Sequence, residues 1–173
     1  MPLLRRRKLM KDNKKTGVYK LTKEDGVRSK FDFGVRWCDA NKIVLIADNI
    51  TNIRSNIFFA TFGAEWIGIN ERIMFIGLSN VKSNLSFEQI VDGKKHEIEF
   101  TFDNTPSKNI ISNFWDITWS KKISYYRISF YKDDILIADF IPDETNSDRM
   151  LNTVTDEYIT ASILTEYKLE KVE

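Results

Sequence analysis

Between Lys122 and Pro142 the chain reads K-I-S-Y-Y-R-I-S-F-Y-K-D-D-I-L-I-A-D-F-I-P, a stretch that leaves room for little but a β-hairpin. Ser124, Tyr126, Ile128 and Phe130 alternate with Ile123, Tyr125, Arg127, Ser129 and Tyr131. This is the two-residue period of a pleated strand, with aromatic and β-branched residues where a half-buried sheet takes them. Lys132-Asp133-Asp134 supplies a turn, Ile135 to Ile141 resumes the strand, and Pro142 ends it because proline has no N–H for the ladder.

The same period recurs along the chain. His96-Glu97-Ile98-Glu99-Phe100-Thr101-Phe102 is the cleanest case, opened by the turn dipeptide Asp92-Gly93. It sets His96, Ile98, Phe100 and Phe102 on one face and Glu97, Glu99 and Thr101 on the other. Further strands are expected at Val18–Thr22, Ser29–Val35, Lys42–Ala47, Ile57–Phe62, Leu85–Val91 and Phe114–Trp119, with a hairpin around Asn70-Glu71. Ser79–Asn84 reads as a loop, and Ala161–Leu169 as a last strand or a short helix. With 21 Ile and 12 Phe against 7 Gly and 3 Pro, and no sustained helical period, ten to twelve short strands predict an all-β, two-sheet antiparallel β-sandwich of the jelly-roll kind. At 173 residues one domain is expected. No apolar run approaches the roughly 18 residues that span a bilayer, so no membrane partner is expected.

Charge is unevenly distributed. Arg5, Arg6, Arg7, Lys8, Lys11, Lys14 and Lys15 face only Asp12 within the first 15 residues, a net of +6, which leaves the remaining chain at −5. Residues 1–16 therefore read as a basic arm on a sandwich domain of residues 17–173. The arm is either a solvated leader or an anchor that docks on an acidic protein surface or on packaged nucleic acid. Lys11-Asp12-Asn13-Lys14-Lys15 follows the basic cluster where a secretory signal would carry an apolar stretch. The domain itself lacks a basic stripe with interleaved aromatics, so sequence-specific nucleic-acid binding is not expected.

One cysteine, Cys38, excludes an internal disulfide and a cysteine-based zinc site, and reads as a small buried or half-buried thiol. The single histidine, His96, reads as an edge-of-core residue rather than a catalytic one. Asp133-Asp134 and Asp143-Glu144 offer oxygen ligands for a structural calcium ion, but both pairs suit turns and no metal motif is present, so no cofactor is expected. Trp115 and Trp119 flank Asp116, with Tyr125 close behind. They are read as core, as an exposed platform on which a sugar stacks, or as a protein interface, and the shared parity of Trp115, Ile117 and Trp119 favours core.

Several of these stretches, in the same order, resemble one family. The hairpin resembles the "KIYxxKIYxNGxLVxDFIP" hairpin of concanavalin A-like (laminin G-like) domains found in phage tail, fibre and virion decoration proteins. V-D-G-K-K-H-E-I-E-F is similar to the family's "DGxxHxIEF", Y-K-L-T-K-E-D-G-V-R-S-K-F-D-F-G-V to its opening "YLESDGxQYIDTGV", and V-T-D-E-Y to "VTGxFY". Between the second stretch and the hairpin, Asp103–Lys121 is shorter than in the family and holds F-W-D-I-T-W. The resemblance implies a non-enzymatic virion protein in a phage particle, a homo-oligomer in contact with capsid, portal or tail components and with host or environmental glycans. A stand-alone carbohydrate-binding module is the second reading. A glucanase is a distant third, because the E-x-D-x-E spacing that puts two carboxylates on one strand face is missing.

Overall fold

The computed structural model describes residues 19–23, 31–51, 56–60, 66–69, 72–76, 79–103, 113–115, 123–162 and 167–172, with the backbone alone at 56–60, 66, 69, 74–76, 79 and 115. In chain order the strands are β1 (Tyr19–Lys23), β2 (Asp32–Arg36), β3 (Lys42–Asp48), β4 (Asn56–Ala60), β5 (Trp66–Ile69), β6 (Ile73–Ile76) and β7 (Ser79–Ser83). After a short helix, α1 (Phe87–Ile90), come β8 (His96–Asp103), β9 (Asn113–Trp115), β10 (Ile123–Lys132), β11 (Ile135–Pro142), β12 (Arg149–Asn152), β13 (Glu157–Thr160) and β14 (Tyr167–Lys171). All pair antiparallel, in two sheets that form a β-sandwich.

The larger sheet runs β13-β12-β11-β10-β3-β8-β7, and β10 is its axis. One edge of β10 pairs along its length with β3. The other is shared, with β11 on Ile128–Lys132 and β1 on Ile123–Tyr125; β14 then extends β1. The smaller sheet runs β2-β9-β4-β5-β6. Aromatic rings fill the space between them. Phe33 of β2 lies 5.4 Å from Phe130 and 5.1 Å from Phe140, and Phe114 of β9 lies 5.0 Å from Phe130. Trp37, in a 3₁₀ turn after β2, stacks on Phe114 at 3.9 Å. Alternation does the sorting: in β3, Ile43, Leu45 and Ala47 are fully buried while Lys42, Val44, Ile46 and Asp48 are half-buried.

Two bulges change the expected faces of the hairpin. Between Tyr125 and Arg127 the register with β3 shifts, so one extra residue of β10 is accommodated there. Parity flips at that point. Ile123 and Tyr125 join Ile128 and Phe130 in the core, whereas Ser124 and Tyr126 were expected beside them. A second shift lies between Phe130 and Tyr131 against β11. The turn is a two-residue Asp133-Asp134 connection with φ of 49° and 64°. Those values are the left-handed pair that suits a hairpin's twist and that aspartate tolerates better than most residues.

Two other expectations are corrected. Ser79–Ser83 is strand β7 rather than a loop, because it pairs along β8 at the sheet's edge. Leu85–Val91 is not a strand but carries α1. Ser86 accepts a bond from the Gln89 N–H, and Gln89 Oε1 accepts one from the Ser86 N–H at 2.8 Å. This capping box is written in the sequence as S-F-E-Q, and burial of Ile90 anchors the turn. The other expected strands appear within a few residues of their places and the tail resolves as strand β14, while β12 and β13 form beyond Pro142, where no strand was expected. The Asp92-Gly93 turn forms as expected, Gly93 taking φ of 78° and bonding Ile50 through its N–H.

Phe130 sits where both sheets and both hairpin strands meet. Replacement Phe130→Ala is expected to cost about 3–5 kcal/mol of unfolding free energy in urea, with little change in the urea m-value.

Candidate functional site

Most of the residues singled out from sequence fall outside what the structure describes. Arg5, Arg6, Arg7, Lys8, Lys11, Lys14, Lys15 and Trp119 lie outside the described residues, and Trp115 is described in its backbone alone. In β9 Phe114 enters the core, 0 % exposed. Tyr125 is 1 % exposed. The bulge in β10 turns it inward, so it offers no face for a sugar or a partner. Cys38 is exposed rather than buried, its thiol 3.7 Å from the Asp39 carboxylate. His96 is half-buried on the face of Ile98 and Phe100, as expected, and its Nε2 lies 2.7 Å from Asp92 Oδ1. Hydrogen bonds from His96 and the Lys94 N–H hold the Asp92 carboxyl below its ordinary value.

What the fold does assemble is polar and lies on the outer face of the larger sheet. The first cluster is buried. Arg127 donates from Nε and Nη2 to the two oxygens of Asp139 at 2.6 and 2.8 Å, and Ser129 and Thr153 donate to the same carboxylate. Burial pushes the Asp139 carboxyl up, but these bonds outweigh it and hold it below its usual range. The second cluster links β1, β3, β10 and β14. Thr22 and Ser124 share a 2.8 Å hydrogen bond, Thr22 donates to Glu170 at 2.9 Å, and Tyr126 donates to Asp48 at 2.6 Å. Burial first, and that bond second, raise the Tyr126 phenol above its ordinary value. Every group here already has a protein partner, which suits a structural role.

The third assembly is open. A groove of about 680 Å³ crosses the ends of β7, β8 and β3 and the β10–β11 turn. Register sets Lys82, Thr101 and Lys42 in one row across three neighbouring strands, continued by Tyr131 on β10. The Lys42 ammonium lies 4.7 Å from the Tyr131 ring centroid and 2.5 Å from Asp134 Oδ1, a bond that holds it above its ordinary pKa. Asn41 clasps the turn from below. Its Nδ2 donates to Asp133 Oδ1 at 2.8 Å and its Oδ1 accepts from the Asp133 N–H at 3.0 Å. Asn80 donates to Asp103 across the far side. Asn80, Asp133 and Asp134 all have positive φ, so left-handed backbone concentrates at this rim. Sequence reading gave Asp133 and Asp134 to the hairpin turn. The groove depends on pairing between positions 92 residues apart, which no local pattern announces.

Three of the four carboxylates considered for calcium have protein partners. Asp133 and Asp134 bond Asn41 and Lys42, and Asp143 pairs with Arg149 at 2.6 Å. Among the described residues no group of three or more His, Cys, Asp or Glu is placed to hold a metal ion. No helix among them is long and apolar enough to cross a membrane. No family model matches the chain, and neither the curated proteins nor the solved structures give a match.

The Asp139 cluster makes a pH-dependent contribution. Because its folded-state pKa is depressed, that contribution is complete above the unfolded value of about 3.9 and is lost as pH falls through the lower folded value. Asp139→Asn leaves Arg127 without its counter-charge. It is expected to cost about 3 kcal/mol at pH 7 in urea unfolding, and the gap to the parent chain should narrow below about pH 4.

Proposed function

We propose that the chain is a non-enzymatic structural protein of a phage particle, a decoration, fibre or tail appendage built on a laminin G-like jelly roll. What supports the reading most is where the resembling stretches fall. The opening stretch falls on β1 and β2, the "DGxxHxIEF" stretch on β8, the hairpin on β10 and β11, and V-T-D-E-Y at the start of β13. They keep their order along the chain, and all but β2 of these strands lie in the larger sheet. In this reading the arm of residues 1–16 anchors the domain through Arg5, Arg6, Arg7, Lys8, Lys11, Lys14 and Lys15. The sandwich faces outward and contacts neighbouring copies, capsid, portal or tail components, and glycans.

Hydrolysis is not part of this reading. Glu97 is exposed and Glu99 half-buried on the outer face of β8, and neither belongs to the groove. A free-standing carbohydrate-binding module is the second reading, and the open polar groove favours it.

Mass spectrometry of purified particles is expected to find the chain among their constituents; its absence overturns the virion reading. Deletion of residues 2–15 is expected to abolish particle association while the thermal unfolding midpoint stays where it was. Association that survives the deletion overturns the anchor.

A further inference from the structure

The groove at the ends of β7, β8 and β3 has a charge pattern that selects one kind of ligand. Two ammonium groups, Lys42 and Lys82, flank the Thr101 hydroxyl in the row across the sheet. Three carboxylates, Asp103, Asp133 and Asp134, stand at the strand ends and the turn. Each carboxylate is fixed through one oxygen only: Asp103 by Asn80, Asp133 by Asn41, Asp134 by Lys42. The second oxygen of each accepts no hydrogen bond among the described residues, and Lys82 makes no ion pair among them. The groove therefore holds acceptors already locked in position beside a free donor.

An anionic ligand meets three carboxylates there. A basic peptide meets Lys42 and Lys82 on the same floor. An uncharged molecule dense in hydroxyl groups satisfies both signs, since a hydroxyl donates to a carboxylate and accepts from an ammonium. Bonds to charged partners are the stronger kind, and side chains already held in place lose little freedom on binding. We infer that this groove binds an uncharged oligosaccharide of hexose or N-acetylhexosamine units and discriminates against sialylated and uronate-bearing chains. The inference rests on the lectin-like reading above and deepens it. Recognition moves away from Trp115, Trp119 and Tyr125 and onto hydrogen bonds in the groove.

The test uses the full chain on an array of neutral hexose and N-acetylhexosamine oligosaccharides printed beside sialylated and uronate-bearing ones, with titration of the best binder. A neutral oligosaccharide is expected to bind with a Kd tighter than about 1 mM. Lys82→Ala and Asp103→Ala, both at exposed positions of the groove wall, are each expected to weaken it by roughly tenfold with unchanged thermal unfolding. No binding to any neutral oligosaccharide, preference for the anionic ones, or undiminished binding by both variants overturns the proposal. Particle incorporation, measured on the same variants, is expected to stay at parental level. Absence of the parent chain from particles overturns the virion reading and leaves the groove standing.

Discussion

The sandwich depends on β10 being held from three directions at once. It pairs with β3 along one edge and with β11 and β1 along the other, while its inner face carries Phe130 into contact with Phe33, Phe114 and Phe140. A strand so placed cannot shift by one residue without exposing its apolar set, because the side-chain period is two. The bulge after Tyr125 is compatible with this only because it swaps which aromatics face in. Tyr125 becomes core, and Tyr126 is free to lie along the outer face, its hydroxyl on Asp48 and its ring 4.0 Å from the Lys95 ammonium.

The outer face reinforces the register that the core sets. β10 and β11 depart from simple alternation between Phe130 and Tyr131, where the register shifts. The Arg127–Asp139 pair, with Ser129 and Thr153 on the same carboxylate, fits one alignment of the two strands. A one-residue slip would move Asp139 off the Ser129 pairing position and strand a buried charge, which is far more costly than the pair is stabilising. Asp139 also reaches forward, since its N–H donates to Asn152 Oδ1 and its backbone oxygen accepts from the Thr153 N–H. The same residue thus sets the position of β11 against β10 and of β12 against β11.

Which parts of this could be read from the residues follows from how local their causes are. β3 and β8 were evident because their alternation is unbroken and Ile43, Leu45, Ile98 and Phe100 lie where it puts them. The class of fold follows from many such strands. The bulge at Tyr126 was hidden because aromatic residues occupy both parities of β10, so either alternation looks acceptable. The helix α1 was missed because four residues show no helical period, although Ser86 and Gln89 announced its start. The groove was hidden for a different reason. Asn41, Asn80, Asp103, Asp133 and Asp134 are ordinary polar residues of strand ends and turns one at a time, and they come together only when β3, β7, β8 and the hairpin turn are brought side by side.

The hairpin turn joins these two levels. A two-residue turn of this twist is best served by Asn-Gly or Gly-Gly, since both central residues take positive φ. Asp133-Asp134 accepts a backbone cost on the order of 1 kcal/mol per residue instead. Part of that is offset locally, by the two bonds to Asn41 and by the Lys42 pair. That pair is largely exposed on the Asp134 side and contributes little to stability. Stability alone would favour a glycine at 134. What a glycine cannot supply is a carboxylate oxygen fixed at the mouth of the groove, and the same holds for Asn80, which takes left-handed backbone while its side chain holds Asp103. Positive φ and an acceptor oxygen coincide on both sides of one groove, at Asn80 with Asp103 and at Asp133 with Asp134.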